Sequence, residues 1–313
     1  MGNRQINWPE ESGVELAHSS GIRGSGVLVG VLDTGIDADH QEFCDQTVNY
    51  RYVPLSSFGG RDVRGFDTEG HGTHVCGIIA GKDIGIAPEA KLYVASIIES
   101  ETYETTLRRI ISGLDWFLEK LSELENSEQT AVLNMSLGFP STLIHSSRYR
   151  PYLDRMRNVL LNCVEKRDVL PIVAIGNDGK GEYCYPGAFK ECFSVGAVDL
   201  QGKIANFSGS GISEGTIKPD IVGYGVDIHS SLERKCEGQS IYEKMSGTSM
   251  ATPYVTGIAA LYLCDKPQLK AKELKAKLIE TAFPLSTQPP ERVGVGLARF
   301  VPQLTDRANC PKE

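Results

Sequence analysis

The feature that most narrows the fold is an alternation. Short, almost wholly apolar runs that read as strands are separated by longer segments with helical periodicity. "GVLVGVLDTG" reads as a buried strand ending at Asp33, "THVCGIIAG" as a short helical run and "AKLYVASII" as a second strand. From Tyr103 to Leu124, Leu107, Ile110, Ile111, Leu114, Phe117, Leu118 and Leu121 recur at the spacing of a long amphipathic helix. A strand "AVLNMSL", a helix over "YLDRMRNVLLNCVEKR" and the strands "VLPIVAIGN" and "CFSVGAVD" follow. Strands that are apolar throughout are covered on both faces, and their alternation with helices makes them parallel. The expectation is an α/β fold of three layers, a mostly parallel central sheet with helices on both faces. Polar residues fall at the C-terminal ends of these strands, where such sheets place their sites.

Composition removes several function classes. Asp plus Glu number 40 against 32 for Lys plus Arg, and no basic run exceeds a pair, which argues against nucleic acid and anionic membranes as partners. No apolar stretch reaches a membrane span. The N-terminus "MGNRQINWPEESG" has no apolar signal core, and Ile6 stands where a myristoylation start carries Ser or Thr, so a cytoplasmic chain is expected unless this is a processed secreted form. Eight cysteines contain no C-x-x-C pair. Cys76, Cys163 and Cys264 sit in apolar company as core residues, and Cys184 and Cys192, around a Pro-Gly turn, are the pair expected to be close. "SGISEGTIKPD" reads as a surface loop, and no linker divides the chain.

Four segments carry chemistry. In "MSGTSMATPYVTGIAALYL" a buried helix starts on small hydroxylated residues, so Ser249 is either a cap or a nucleophile offered at a helix start. "DTGIDAD" is either a cation loop or a solvated turn, and its single D-T-G cannot supply the paired carboxylates of an aspartic protease. His71 in "EGHGTHVCG" is flanked by glycines that leave an imidazole edge open; a metal site from His71, His74 and Cys76 is disfavoured because Cys76 points to another helix face. A serine hydroxyl needs a base, and an imidazole oriented by a buried carboxylate supplies one. Asp33, His71 and Ser249 are those groups, and Asn177, just beyond a buried strand, is a candidate oxyanion donor.

With these segments in place, the chain resembles the subtilisin-like serine proteases, the subtilases. Their three signatures occur in the family's order as "VGVLDTGID", "HGTHVCGIIAG" and "GTSMATPYVTGIAAL". The resemblance implies a peptidase domain over 21–304 between tails at 1–20 and 305–313. It implies that Asp33 orients His71, that His71 is base and then acid, that Ser249 is the nucleophile, and that Asn177 and the Ser249 amide form the oxyanion hole. It also implies a cleft for extended peptide. Ser136, Leu137 and Gly138 would form one wall of the pocket for the residue before the cut, and Ala174, Ile175 and Gly176 the other. Cys184 stands where the family often has glycine, which would shorten that pocket. A catalytically inactive fold kept for peptide binding is the alternative, and all four catalytic positions are intact against it.

The chain departs from the family's pattern in three places. Its run from the histidine helix through "KDIGIAPEAKLYV" leaves little room for the usual high-affinity calcium loop. No metal is expected in the chemistry; a structural calcium elsewhere stays open, and Glu42, near a family ligand position, reads as a surface acid. Glu99, Glu101 and Glu104 make the segment implied to bind upstream residues acidic, which would either favour basic side chains or leave three solvated acids. The resemblance begins almost at once, so the family's N-terminal prosegment is not expected within these residues; either this is a processed form, or folding and restraint come from a short tail or from an inhibitory or activating partner protein, expected beside protein or peptide substrates.

Overall fold

The computed structural model describes residues 8–54, 60–99, 103–123, 130–234 and 238–302. Gly2, Glu101, the Glu104 side chain, Cys236, Cys310 and the tail at 305–313 lie outside the described residues.

Eight strands form one sheet: β1 (Val27–Asp33), β2 (Asn49–Tyr52), β3 (Arg61–Asp62), β4 (Lys91–Ser96), β5 (Thr130–Met135), then, past the short β6 (Phe139–Pro140), β7 (Leu170–Ala174) and, past β8 (Cys184–Tyr185), β9 (Phe193–Val198). Two further short strands, β10 (Gly211–Ser213) and β11 (Thr216–Lys218), precede the eighth, β12 (Ile221–Tyr224). The order is β12-β9-β7-β5-β1-β4-β2-β3, and only β3 runs antiparallel to its neighbour. The α/β expectation holds because β1 is buried at every position, as the unbroken apolar run requires of a strand covered on both faces.

The helices are α1 (Val14–Ser19), α2 (His71–Ala80), α3 (Tyr103–Glu123), α4 (Arg150–Arg167), α5 (Thr248–Asp265) and α6 (Ala271–Thr281). Val29, Val31 and Val132 point from one sheet face into a core shared with α2 and α5, while Leu28, Leu32 and Leu133 meet Phe117 of α3 and Leu160 of α4 on the other. α5 is buried almost all round, which is why its apolar residues show so little one-sidedness. Val14 and Ala17 of α1 join the first core.

One hairpin differs from the sequence reading, and a second lies in a stretch to which the sequence assigned no element. The supposed loop 210–220 contains the antiparallel pair β10–β11, closed by Glu214 and Gly215 with φ of 50° and 78°. A two-residue turn of that hand is usually written Asn-Gly or Asp-Gly, so Glu-Gly hid it. The second hairpin, β13 (Ile228–Leu232) with β14 (Ile241–Met245), clasps α2. Ser230 and Ser231 donate to the His74 and Thr73 carbonyls at 2.8 and 3.0 Å. A Cβ on Gly77 would sit 2.3 Å from both serine oxygens.

His74 belongs to this clasp. Its Nε2 lies 3.0 and 3.1 Å from the carbonyl oxygens of Ile228 and Glu243, which only accept, so Nε2 carries the proton and Nδ1 is a buried acceptor with no partner among the described groups. Burial lowers its pKa to about 4. His40 is held similarly, between the Ile241 carbonyl and the Glu42 amide, and its pKa is also lowered by burial.

The remaining acids and thiols bring corrections. Glu42 is not a surface acid: it is 2 % exposed, and its carboxylate accepts from the Asp83 amide and the Tyr242 hydroxyl. Asp37 is buried and doubly bonded to Arg234, with Asp39 beside it, so the "DTGIDAD" acids hold an arginine. Cys184 and Cys192 are both free thiols. Cys184, on β8, packs against Gly138 and Gly176, whereas Cys192 is buried in the α3–α4 layer with Cys163. Cys264 is half-buried.

Neutral, buried histidines make acid destabilising. With native pKa values below the unfolded value of about 6.5, the folded state binds fewer protons, so stability is full above that pH and is lost as pH falls toward 4. Denaturant midpoints measured between pH 7 and 4 should fall, with His74 accounting for on the order of 3 kcal/mol. His74→Gln, whose amide can donate without titrating, should show a shallower decline.

Candidate active site

The first half of the site is fixed by a close approach of α2 to the end of β1. A Cβ on Gly72 would lie 2.1 Å from the Gly35 carbonyl oxygen, so only glycine lets the helix come this near. Thr34 Oγ1 accepts the Gly72 amide at 2.8 Å, and Ser96 donates to the Thr34 carbonyl at 2.8 Å, locking helix, β1 and β4 together. His71, the first residue of α2, follows Gly70 at φ 82°. Its Nδ1–H donates to Asp33 Oδ1 at 2.7 Å, and that oxygen also accepts the Thr34 amide at 2.8 Å. Asp33 is wholly buried. Burial works to lower the His71 pKa, but the charge and hydrogen bond of Asp33, with Asp67 and Glu69 beyond, outweigh it and the net shift is upward. Some 29 % of the His71 side chain stays open to solvent.

The second half sits where α5 begins against the end of β5. Proline at 253 has no N–H to give to the Ser249 carbonyl four residues back. Ser136 replaces it, donating to that carbonyl at 2.9 Å, while Ser249 Oγ donates to the Ser136 carbonyl at 3.2 Å. Ser136 is steadied in turn by Asn134 Nδ2 at 3.1 Å, and Asn134 Oδ1 accepts from Thr256 at 2.9 Å. The sequence placed Asn134 only at the start of the segment "NMSLG" and gave no bracing role to it or to Thr256, although the proline in "MATPYVT" was a cue that a side chain must complete this helix.

Asn177 lies just past β7. Its Oδ1 accepts both the amide and the hydroxyl of Thr248, at 2.9 and 3.0 Å, which leaves Nδ2 to donate beside Ser249. The Ser249 amide, in the first helical turn, has no intrahelical acceptor. Thus the structure joins Asp33 to His71 directly and Asn177 to the Ser249 turn through Thr248. Ser249 Oγ donates to the Ser136 carbonyl rather than to His71.

Two backbone segments follow the ends of neighbouring strands β5 and β7, and Ser136 of the first is bonded to Ser249. Ser136, Leu137 and Gly138 extend β5, and Ala174, Ile175 and Gly176 end β7. Cys184 lies between them, its amide bonded to the Ile175 carbonyl at 2.7 Å. A Cβ on Gly138 would meet Cys184 Cβ at 2.6 Å, and one on Gly176 would meet its Sγ at 2.7 Å. Burial pushes the Cys184 thiol pKa up to about 12, so it stays protonated, facing Asp178.

Comparison with known proteins agrees with this geometry. The chain belongs to the subtilase family, whose model matches residues 24–303. It is 49 % identical over 300 residues to the subtilisin-like protease PopC of Myxococcus xanthus (strain DK1622), covering 94 % of this chain and 63 % of PopC. It is 31 % identical to the major intracellular serine protease of Bacillus subtilis (strain 168), covering 85 % of this chain and 79 % of that protein. Among solved structures, the prenylagaramide maturation protease PagA superposes with a TM-score of 0.71 at 25 % identity, covering 92 % of this chain and 96 % of PagA. No described helix is long and apolar enough to cross a membrane, and no described cluster of three or more His, Cys, Asp or Glu side chains is arranged to hold a metal.

The Asp33 carboxylate should be the cause of the raised His71 pKa. NMR titration of the imidazole should give a midpoint above about 6.5 in the native chain and a lower one in Asp33→Asn.

Proposed function

We propose that the chain is a serine endopeptidase cutting extended or unfolded polypeptide through an acyl-enzyme. The observation that carries this reading is the 2.7 Å bond from His71 to buried Asp33, at the sheet edge where Asn177 and Ser249 also stand. Ser249 Oγ attacks the scissile carbonyl as His71 Nε2 takes its proton, and Asp33 stabilises the imidazolium. The tetrahedral oxyanion is received by Asn177 Nδ2 and the Ser249 amide. His71 returns the proton to the leaving amine, and a water activated by the same imidazole then releases the acyl group. A fold kept only for peptide binding would have no use for a buried carboxylate aligned on a histidine.

The side chain before the cut enters the slot between residues 136–138 and 174–176. Cys184 shortens it, so small and medium residues are accepted ahead of aromatics. We assign the peptidase domain to 21–304, flanked by tails at 1–20 and 305–313, a division supported by the family match. The likeness to PagA and to the Bacillus intracellular protease supports a processing enzyme working inside the cell, and six free thiols among the described residues suit a reducing compartment. Control by a partner protein is part of this proposal.

Incubation with an unfolded-peptide library, read by mass spectrometry, should give cuts that vanish in Ser249→Ala. Asn177→Ala should lower kcat by about 10²–10³-fold. Cys184→Gly should shift preference at the residue before the cut toward Phe and Tyr by about tenfold. Identical digests from the native chain and Ser249→Ala would overturn the proposal.

A further inference from the structure

Arg109 is an anomaly in α3. The helical pattern places it off the apolar stripe, beside exposed Arg108, yet it is 3 % exposed. Its guanidinium lies against Glu99, Nη1 to Oε2 and Nη2 to Oε1 at 3.3 Å each, a two-pronged pairing. Nη2 also reaches the Ser96 carbonyl at 3.3 Å, and the group lies over the Tyr52 ring at 5.7 Å from its centroid. The Tyr52 hydroxyl donates to Glu99 Oε1 at 2.6 Å. Nε is buried with no partner among the described groups, so the cation is held for Glu99 and the strand end rather than for its own full satisfaction.

The pair stands beside the reacting groups. Past β4, the amides of Ile97 and Ile98 donate to the Asp33 carbonyl at 2.8 and 3.3 Å, so residues 97–99 run along the same sheet edge as the Asp33–His71 pair. A polypeptide running from Cys184 across this edge to the Asp33–His71 pair would pass residues 97–99, where Glu99, 20 % exposed, is the acid among the described residues.

We infer that Arg109 sets the charge that substrate encounters at 97–99. By matching Glu99 from beneath, it keeps this edge from selecting basic side chains and positions the strand end through Ser96. This inference rests on the peptidase reading above and adds to it: the substrates are peptides whose residues flanking the cut are not chosen for positive charge.

The test uses peptide pairs that differ only by Lys or Leu at one position within four residues of the cut, digested at pH 8. The readout is the Lys-to-Leu ratio of cleavage rates within each variant, so a lower folded fraction cancels. The native chain should show a ratio within about twofold of one at every position, and Arg109→Met should raise it at one position by about two- to fivefold, the worth of an exposed ion pair. Glu99→Gln, which leaves the cation unmatched, should lower it, and the double variant Arg109→Met/Glu99→Gln should restore it. If Arg109→Met does not fold, the opposite shift in Glu99→Gln decides the matter. Serine-dependent cutting with ratios unmoved in Glu99→Gln and Arg109→Met overturns this inference alone; absence of cutting that depends on Ser249 overturns the peptidase reading with it.

Discussion

A carboxylate with no exposed surface, placed at the end of a strand that is buried throughout, is costly unless something nearby stabilises its charge. Asp33 receives the Thr34 amide and the His71 imidazole on one oxygen, while Oδ2 is buried without a partner among the described groups. That incomplete satisfaction makes the carboxylate demand positive charge on His71. Burial works to lower the His71 pKa, and the charge and hydrogen bond of Asp33 turn the net shift upward. The same pairing fixes the imidazole's tautomer, leaving Nε2 as the basic nitrogen.

Much of the rest of the fold keeps that pairing in place. Gly72 lets α2 press on β1, and Gly77 lets the β13–β14 hairpin press on α2 from behind. Side-chain hydroxyls then tie backbone across elements: Thr34 to α2, Ser96 to β1, Ser230 and Ser231 to α2, Ser136 to α5. Thr34 and Ser136 satisfy backbone groups that a helix start and a proline leave unpaired, Ser230 and Ser231 add second bonds to carbonyls inside α2, and all are short, so tolerance for displacement is small. Arg109 extends this bracing to the strand end at 97–99.

The alternation of apolar strands and helices made the three-layer architecture legible, since burial on both faces leaves no other assignment for "VLVGVLD". The site's separate pieces were legible too, because Asp33, His71, Asn177 and Ser249 are polar residues exactly where strands end or helices begin. What escaped the reading was set by tertiary contact. Arg109 looks solvated from its helical phase and is buried because Glu99 and Tyr52 meet it from other elements. Glu42 looks like one more surface acid until Asp83 and Tyr242 close on it. The β10–β11 hairpin turns on Glu-Gly rather than the usual Asn-Gly or Asp-Gly, and the Cys184–Cys192 spacing said nothing about which layer each thiol enters.

The proposed chemistry requires Asp33 and His71 to activate Ser249 and no other nucleophile. A phosphonofluoridate probe followed by intact-mass and peptide mass spectrometry tests it most directly. The account predicts one adduct per chain, on the peptide containing Ser249, with a rate that rises with pH through a midpoint above about 6.5 and falls by orders of magnitude in His71→Ala. An adduct on another residue, or equal labelling with and without His71, would contradict it.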